Sequence, residues 1–310
     1  MGIMNIKPNR LKAGDKIRVI APSALFDKAD FKKGVKRLEG LGLNVVFRKD
    51  IFLKHGYLAG SDQRRSNELL EAFEDKSCKA IFCARGGFGA ARLFDKIDFK
   101  LVEDNPKIFV GFSDITALHL AFLSLSKLIT FSGPVIASKN FIDISMQNLN
   151  GLKKALFTAD PLKYKFPKGT IVLAEGFAQG PIIGGNLSII HSMAATRFIP
   201  DFNGKILFFE DVGEAPYKID RMLCHLSQLK IFSGIKGLIA GQFINDKRSA
   251  KKTDEKFIKK IILEYFGDFK IPIVFNFPIG HGVENVVIPV GADAGFNTKS
   301  RELISEAGVL

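Results

Sequence analysis

Over the first 135 residues, short apolar runs alternate with stretches of helical periodicity, and this rhythm restricts the fold more than any other feature. Residues 17–21 (IRVIA) read as a strand, Phe31, Val35 and Leu38 as the inner face of a helix, and residues 43–47 (LNVVF) as the next strand. The unit then repeats. Ser61 is placed to cap a helix carrying Leu69, Leu70 and Phe73, a strand follows at 80–83, and residues 85–89 form a glycine-rich turn. Residues 108–110 form another strand, which runs through Gly111-Phe112-Ser113-Asp114 into an apolar helix over 115–125, with a further strand at 129–131. Such alternation predicts an α/β domain in which an open parallel sheet is covered by helices on both faces.

After residue 136 the rhythm weakens. Residues 137–179, broken by Gly151, Pro161, Pro167 and Gly169, read as an inter-domain connection. From residue 180 to 310, short strands at 206–209, 237–240 and 273–276 are separated by helices and glycine turns, which predicts a smaller, β-rich second domain. A length of 310 residues accommodates two such domains. Apolar residues at 46% and charged residues at 25% exclude disordered and collagen-like chains.

Lys and Arg number 45 against 32 Asp and Glu, a net +13 that raises nucleic acid, membrane surfaces and acidic ligands as partners. The charge is nevertheless spread along the chain. Its densest part, residues 247–260, interleaves Asp254 and Glu255 with Phe257, Ile258 and Ile261 in an amphipathic helical pattern. That is a solvated surface, and neither a nucleic acid nor a membrane is expected as partner. Cys78, Cys83 and Cys224 show no metal-ligand spacing and are odd in number, so buried, reduced thiols are expected, with neither a disulfide framework nor a metal site. The N-terminus meets Lys7 and Arg10 before an apolar leader could form, and no run of about 18 apolar residues occurs; a cytoplasmic protein is expected.

Ser113 stands directly after a buried strand and at the mouth of a helix. A serine there sits on a sharp turn at the C-terminal edge of the sheet, where the helix N-terminus favours a developing oxyanion and the N–H of Asp114 can serve as a donor. Ile115 replaces the second glycine of a GxSxG elbow, and a helix cap is the competing role for Ser113. Gly86 and Gly87, in Arg85-Gly86-Gly87-Phe88-Gly89, can turn backbone N–H groups toward an oxyanion or a phosphate, although neither GxGxxG nor a P-loop is present. A tight turn is the competing reading.

A serine nucleophile needs a base. His119, His191 and His225 lie in apolar helical patterns and His55 in a loop, whereas His281, between Gly280 and Gly282, follows an apolar strand and is the first choice. The acidic partner belongs at a strand end. Glu210, Asp211 and Glu214 all qualify, and spacing does not separate them.

Five ordered blocks carry a resemblance: CARGGFGAARLFDKIDF, GFSDITALHLAF with TFSGPV, GGNLSI, FFEDVGEAPYKIDRML and IGHGVENVVIPVGADA. Together they resemble the LD-carboxypeptidases, a serine peptidase family that also contains microcin C self-immunity hydrolases. The resemblance runs from Lys12 to about Ala294. It implies a flavodoxin-like N-terminal domain followed by a β-rich, barrel-like one, with a Ser113, Glu210, His281 triad split between them. It also implies an oxyanion hole from the N–H of Asp114 and of Gly86 or Gly87. The implied reaction is release of the terminal D-alanine from cytoplasmic murein tetrapeptides in peptidoglycan recycling, through an acyl-enzyme and without a cofactor. A homodimer is implied as well.

An exopeptidase must hold the terminal carboxylate, and Arg85 and Arg221 are the candidates, with a surface ion pair as the competing role of each. The alternative enzyme within the resemblance is the immunity type, which cleaves peptidyl or aminoacyl adenylates using an aromatic-rich loop. The absence of tryptophan counts against it. Outside enzymes, a module binding a phosphorylated ligand at Gly86–Gly89 is the competing class.

Overall fold

The computed structural model describes residues 5–246, 251–252 and 254–310. In chain order its strands are β1 (Lys16–Ile20), β2 (Asn44–Val46), β3 (Cys78–Cys83), β4 (Ile108–Gly111), β5 (Thr130–Ser132), β6 (Leu162–Lys165), β7 (Ile171–Ala174), β8 (Phe177–Asn186), β9 (Ile206–Val212), β10 (Gly237–Asp246), β11 (Lys251–Lys252), β12 (Ile273–Phe275), β13 (Ile288–Val290), β14 (Asp293–Asn297) and β15 (Glu302–Ser305). They form a mixed α/β architecture of two sheets.

The first sheet has the order β13-β5-β4-β3-β1-β2 and is parallel from β2 to β5. The order 2-1-3-4-5 of its parallel part is that of flavodoxin-like sheets, in which ligands gather at the C-terminal strand ends near the reversal between β1 and β3. Its helices follow from the apolar spacing. Lys28–Glu39 buries Phe31, Val35 and Leu38, and Asp62–Glu74 buries Leu69 and Phe73 after Ser61 caps it by accepting from the Arg64 N–H at 3.2 Å. The helix predicted over 115–125 is Thr116–Ser126, buried along almost its whole length.

The second sheet has the order β6-β15-β14-β8-β9-β10-β12-β7, with β11 on β10. Its centre from β8 to β12 is parallel and its flanks are antiparallel. The strands predicted at 206–209, 237–240 and 273–276 are the starts or the bodies of β9, β10 and β12.

Two features depart from the reading of local pattern. The stretch 137–179, expected as a connection, contains helix Met146–Phe157 and supplies β6 and β7 to the second sheet. Both are edge strands, and β6 keeps Lys163 and Lys165 exposed; this is how edges avoid further pairing, and it hides the strand from a search for apolar runs. β13 returns to the first sheet and pairs antiparallel with β5, Ile288 opposite Ser132. One apolar core therefore runs from Phe109, Leu118 and Phe122 to Ile183, Leu187 and Phe208 and joins the two sheets.

Helix Glu255–Phe266 buries Ile258 and Ile261 and leaves Phe257 exposed; residues 247–250 and 253 of the lysine-rich stretch lie outside the described residues. Cys78 and Cys83 are buried, whereas Cys224 is half-buried, and all three are free thiols. Among the described residues no helix is long and apolar enough to cross a membrane.

Candidate active site

β4 ends at Gly111, and the chain turns sharply. Ser113 has φ +66°, a left-handed conformation that a non-glycine residue adopts only when its surroundings enforce it. Here the enforcement is visible. A Cβ on Gly111 would lie 2.8–3.1 Å from Ile115 side-chain atoms, and the Gly111 carbonyl accepts from His119 Nε2 at 2.8 Å. Burial holds His119 down at about 4, so it is a neutral core imidazole that receives the Thr130 hydroxyl at Nδ1, 2.8 Å away. It braces the turn from beneath.

Ser113 Oγ lies 3.0 Å from His281 Nε2, and His281 Nδ1 lies 2.7 Å from Glu210 Oε2. A carboxylate can only accept, so Nδ1 carries the proton and Nε2 is left with the lone pair that faces the serine hydroxyl. The geometry also separates the three acids. Glu210 alone faces His281. Asp211, on the opposite face of β9, accepts from the Ser188 N–H (2.9 Å), the Ser188 hydroxyl (2.7 Å) and the Val212 N–H (2.7 Å). Burial and the neighbouring Glu210 push it up to about 6. Glu214 pairs with Lys218 at 3.2 Å.

His281 reaches the site because Gly280 has φ +117° and packs on Glu210, where a Cβ would come within 2.7–2.8 Å of its side-chain carbons. Asn285 Oδ1 accepts from the Gly280 N–H at 3.0 Å, and Asn140 Nδ2 donates to the Gly282 carbonyl at 2.7 Å, so the loop is tied from two sides. The Phe112 ring sits 4.8 Å from the imidazole.

Sequence reasoning left GGNLSI without a role and missed Asn186 within it. Asn186 Nδ2 donates to Glu210 Oε1 at 3.2 Å and Asp211 Oδ1 at 3.1 Å, its Oδ1 caps helix Leu187–Met193, and its N–H donates to Thr116 Oγ1 at 3.0 Å. One residue thus links the carboxylate to the helix behind Ser113. The two glycines before it were the available signal.

Gly86 lies against Ser113, since a Cβ there would be 2.9 Å from Ser113 Cβ and 3.2 Å from its Oγ. Among the described residues the N–H groups of Gly86 and Gly87 donate to no protein acceptor. A cleft of about 310 Å³ opens over these atoms, lined by Ser113, His281, Gly86, Phe112, Arg85 and Lys139, with Asp27 and Asp30 also on its wall. Arg85 Nη1 donates to the Leu25 carbonyl at 2.8 Å, which leaves the rest of its guanidinium exposed. Arg221 does not join this set. It is exposed on helix Pro216–Gln228, 5.9 Å over the Tyr217 ring, and is absent from the cleft lining; helical spacing after Glu210 gave no information on which face it would occupy. Among the described residues no group of three His, Cys, Asp or Glu side chains could hold a metal ion.

Such an arrangement can deprotonate a serine hydroxyl as it attacks a carbonyl, stabilise the resulting imidazolium with a carboxylate, and receive an oxyanion between the Asp114 N–H and the Gly86–Gly87 turn.

Two family models match the chain: the LD-carboxypeptidase N-terminal domain over residues 17–133 and the LD-carboxypeptidase C-terminal domain over residues 179–296. A probable murein peptide carboxypeptidase of Bacillus subtilis is 37% identical over 99% of this chain and 96% of its own. Among solved structures, a MccF-like protein from Bacillus anthracis superposes with a TM-score of 0.88 at 29% identity, covering 97% of this chain and 99% of that one. A muramoyltetrapeptide carboxypeptidase from Oxalobacter formigenes superposes with a TM-score of 0.80 at 29% identity, covering 94% and 97%.

Proposed function

The chain belongs to the LD-carboxypeptidase family of serine peptidases, and we propose that it removes the terminal D-alanine from murein tetrapeptides in peptidoglycan recycling. Ser113 attacks the carbonyl between the diamino acid and D-alanine while His281 takes the serine proton. His281 then gives a proton to the departing amine, and water resolves the acyl-enzyme with His281 again as base. Glu210 holds the imidazole in the required tautomer. The Asp114 N–H and the Gly86–Gly87 turn receive the oxyanion. The single observation that carries this reading is the continuous chain of contacts from Ser113 Oγ through His281 to Glu210, 3.0 and 2.7 Å, at the floor of an open cleft.

Arg85 lines the cleft beside the oxyanion turn and is assigned the substrate's terminal carboxylate. Amidating that carboxylate removes a charge-assisted contact, and replacing terminal D-alanine by L-alanine misplaces the carboxylate relative to Ser113. Each change is expected to lower kcat/KM on the order of thirtyfold or more. Equal cleavage of free and amidated tetrapeptides would refute the anchor.

A second reading, hydrolysis of aminoacyl or peptidyl adenylates, draws on one observation. Tyr57 and Phe88 form an exposed ring pair, centroids 5.8 Å apart, next to Gly87 and Gly89, where an adenine could stack. Faster hydrolysis of an aminoacyl sulfamoyl adenosine than of the tetrapeptide would put this reading first.

A further inference from the structure

The Asp114 backbone N–H serves the oxyanion in the mechanism above, but nothing there uses its side chain, which is buried at 2% exposure. Asp114 Oδ2 accepts from the Ser23 hydroxyl and, at 2.8 Å, from the Ala90 N–H. Ser23 follows β1 and Ala90 closes the Gly86–Gly89 turn, so one carboxylate oxygen ties together the loops after β1, β3 and β4. Arg65, fully buried on helix Asp62–Glu74, grips two of these loops, those after β1 and β3: its Nη1 donates to the Pro22 carbonyl and, at 2.8 Å, to the Gly89 carbonyl, while Nη2 pairs with Asp62. On the same helix, Glu68 accepts from the Ala21 N–H at 2.7 Å and Arg64 donates to the Ala21 carbonyl at 3.3 Å. At the near end of the turn the Ala24 N–H donates to the Gly86 carbonyl at 3.2 Å, and a Cβ on Gly87 would collide with that of Ala24.

The turn is therefore fastened at both ends, through Gly86 O, Gly89 O and Ala90 N–H, whereas its middle N–H groups find no protein acceptor among the described residues. Burying this many charges is an expensive way to fill a core; apolar residues of similar volume often stabilise more. Burial accordingly pushes the Asp114 carboxyl above its usual range, opposed by the Ser23 and Ala90 hydrogen bonds and by Arg65. What the charges supply and apolar packing does not is a fixed position for a glycine backbone that has no side chain to anchor it.

We propose that the Asp114 side chain, with Ser23 and Arg65, is the positioning element that holds the Gly86–Gly89 turn against Ser113 and so sets how well the site stabilises an oxyanion. This inference rests on Ser113 being the nucleophile. Because the oxyanion exists only after attack, loss of the network lowers kcat and leaves KM nearly unchanged.

The test measures kcat and KM on the tetrapeptide, the rate at which a fluorophosphonate labels Ser113, and the denaturant midpoint, for Asp114→Ala, Asp114→Asn, Ser23→Ala and Arg65→Met. In folded Asp114→Ala, kcat and labelling fall together on the order of a hundredfold, with KM within about threefold. Asp114→Asn, which keeps an acceptor oxygen for Ser23 and Ala90, recovers at least about tenfold of that loss. Wild-type labelling in folded Asp114→Ala, a loss confined to KM, or an Asn variant no better than Ala would overturn the proposal. Should Asp114→Ala or Arg65→Met not fold, Ser23→Ala reads the same quantities after loss of one hydroxyl, with a drop of about tenfold expected and no change counting against the proposal. Failure of the substrate assignment is separable: a wild-type protein that ignores the tetrapeptide but labels at Ser113 leaves the labelling series to decide. Wild-type protein that does not label at Ser113 would refute both.

Discussion

Replacing Gly280 by alanine adds one methyl group at a place the structure leaves no room for. At φ +117° an L-residue costs at least about 1–2 kcal/mol in backbone strain. The new Cβ would also lie 2.7 Å from Glu210 Cγ and 2.8 Å from its Cβ. Ordinary carbon contacts need about 3.5–4.0 Å, so either Glu210 or the His281 loop must retreat by roughly 1 Å. That displacement acts on the 2.7 Å Nδ1–Oε2 contact, and through it on the alignment of Nε2 with Ser113. A misplacement of this size costs on the order of a hundredfold in rate, and the expected loss of stability is about 2–4 kcal/mol.

The assay is kcat for D-alanine release together with urea unfolding, run beside Gly151→Ala as a matched control. Gly151 lies within helix Met146–Phe157 with open space where its Cβ would be, so the same substitution there should stabilise by about 0.5–1 kcal/mol and leave kcat alone. A Gly280→Ala enzyme with wild-type kcat would refute the packing argument for the position of Glu210.

Ser113→Ala, Glu210→Gln and His281→Ala should each reduce D-alanine release by several orders of magnitude with circular dichroism unchanged, and the double variants should lose little more than the singles, because the three act as one unit. Glu214→Gln, which loses only a pair to Lys218, should keep kcat within about threefold. Asp211 ionises in the fold at about 6 instead of near 3.8. The folded state then binds more protons than the unfolded chain between those values, so this group lowers stability as pH rises from about 4 to 6, by about 3 kcal/mol in all. Asp211→Asn should flatten that part of the urea-midpoint curve, and an unchanged slope would contradict the assignment. EDTA should leave the release rate unchanged; loss of activity restored by zinc would overturn a serine mechanism.

How much of this was legible depends on whether a feature is local. Strands β1 to β5 and the helices Lys28–Glu39, Asp62–Glu74 and Thr116–Ser126 follow from apolar period and cap residues, since each buries its own side chains, whereas the short helix Phe99–Asp104 was not read. Ser113 stood out because strand, serine and helix are consecutive, but only the family resemblance ranked a nucleophile above a helix cap. Glu210 was not separable from Asp211 and Glu214 by spacing; in the structure Glu210 and Asp211 take opposite faces of β9, and Glu214 lies beyond its end, paired with Lys218. Arg221 looked as eligible as Arg85 because a helical position does not reveal which wall it joins. Asn186, Ser23 and Arg65 were missed for a different reason. Their partners lie in other loops, and a polar residue committed to a buried network looks in sequence like any polar surface residue. The same holds for β13, whose pairing with β5 joins segments far apart in the chain.

The most direct test of the central claim is mass spectrometry of a murein tetrapeptide incubated with the wild-type protein and with Ser113→Ala. The wild type should convert the tetrapeptide to the tripeptide plus free D-alanine, with a transient protein adduct of tripeptidyl mass on the peptide containing Ser113, and Ser113→Ala should give neither product nor adduct. An intact tetrapeptide at enzyme levels that hydrolyse an aminoacyl sulfamoyl adenosine, or equal D-alanine release by the two proteins, would contradict that claim.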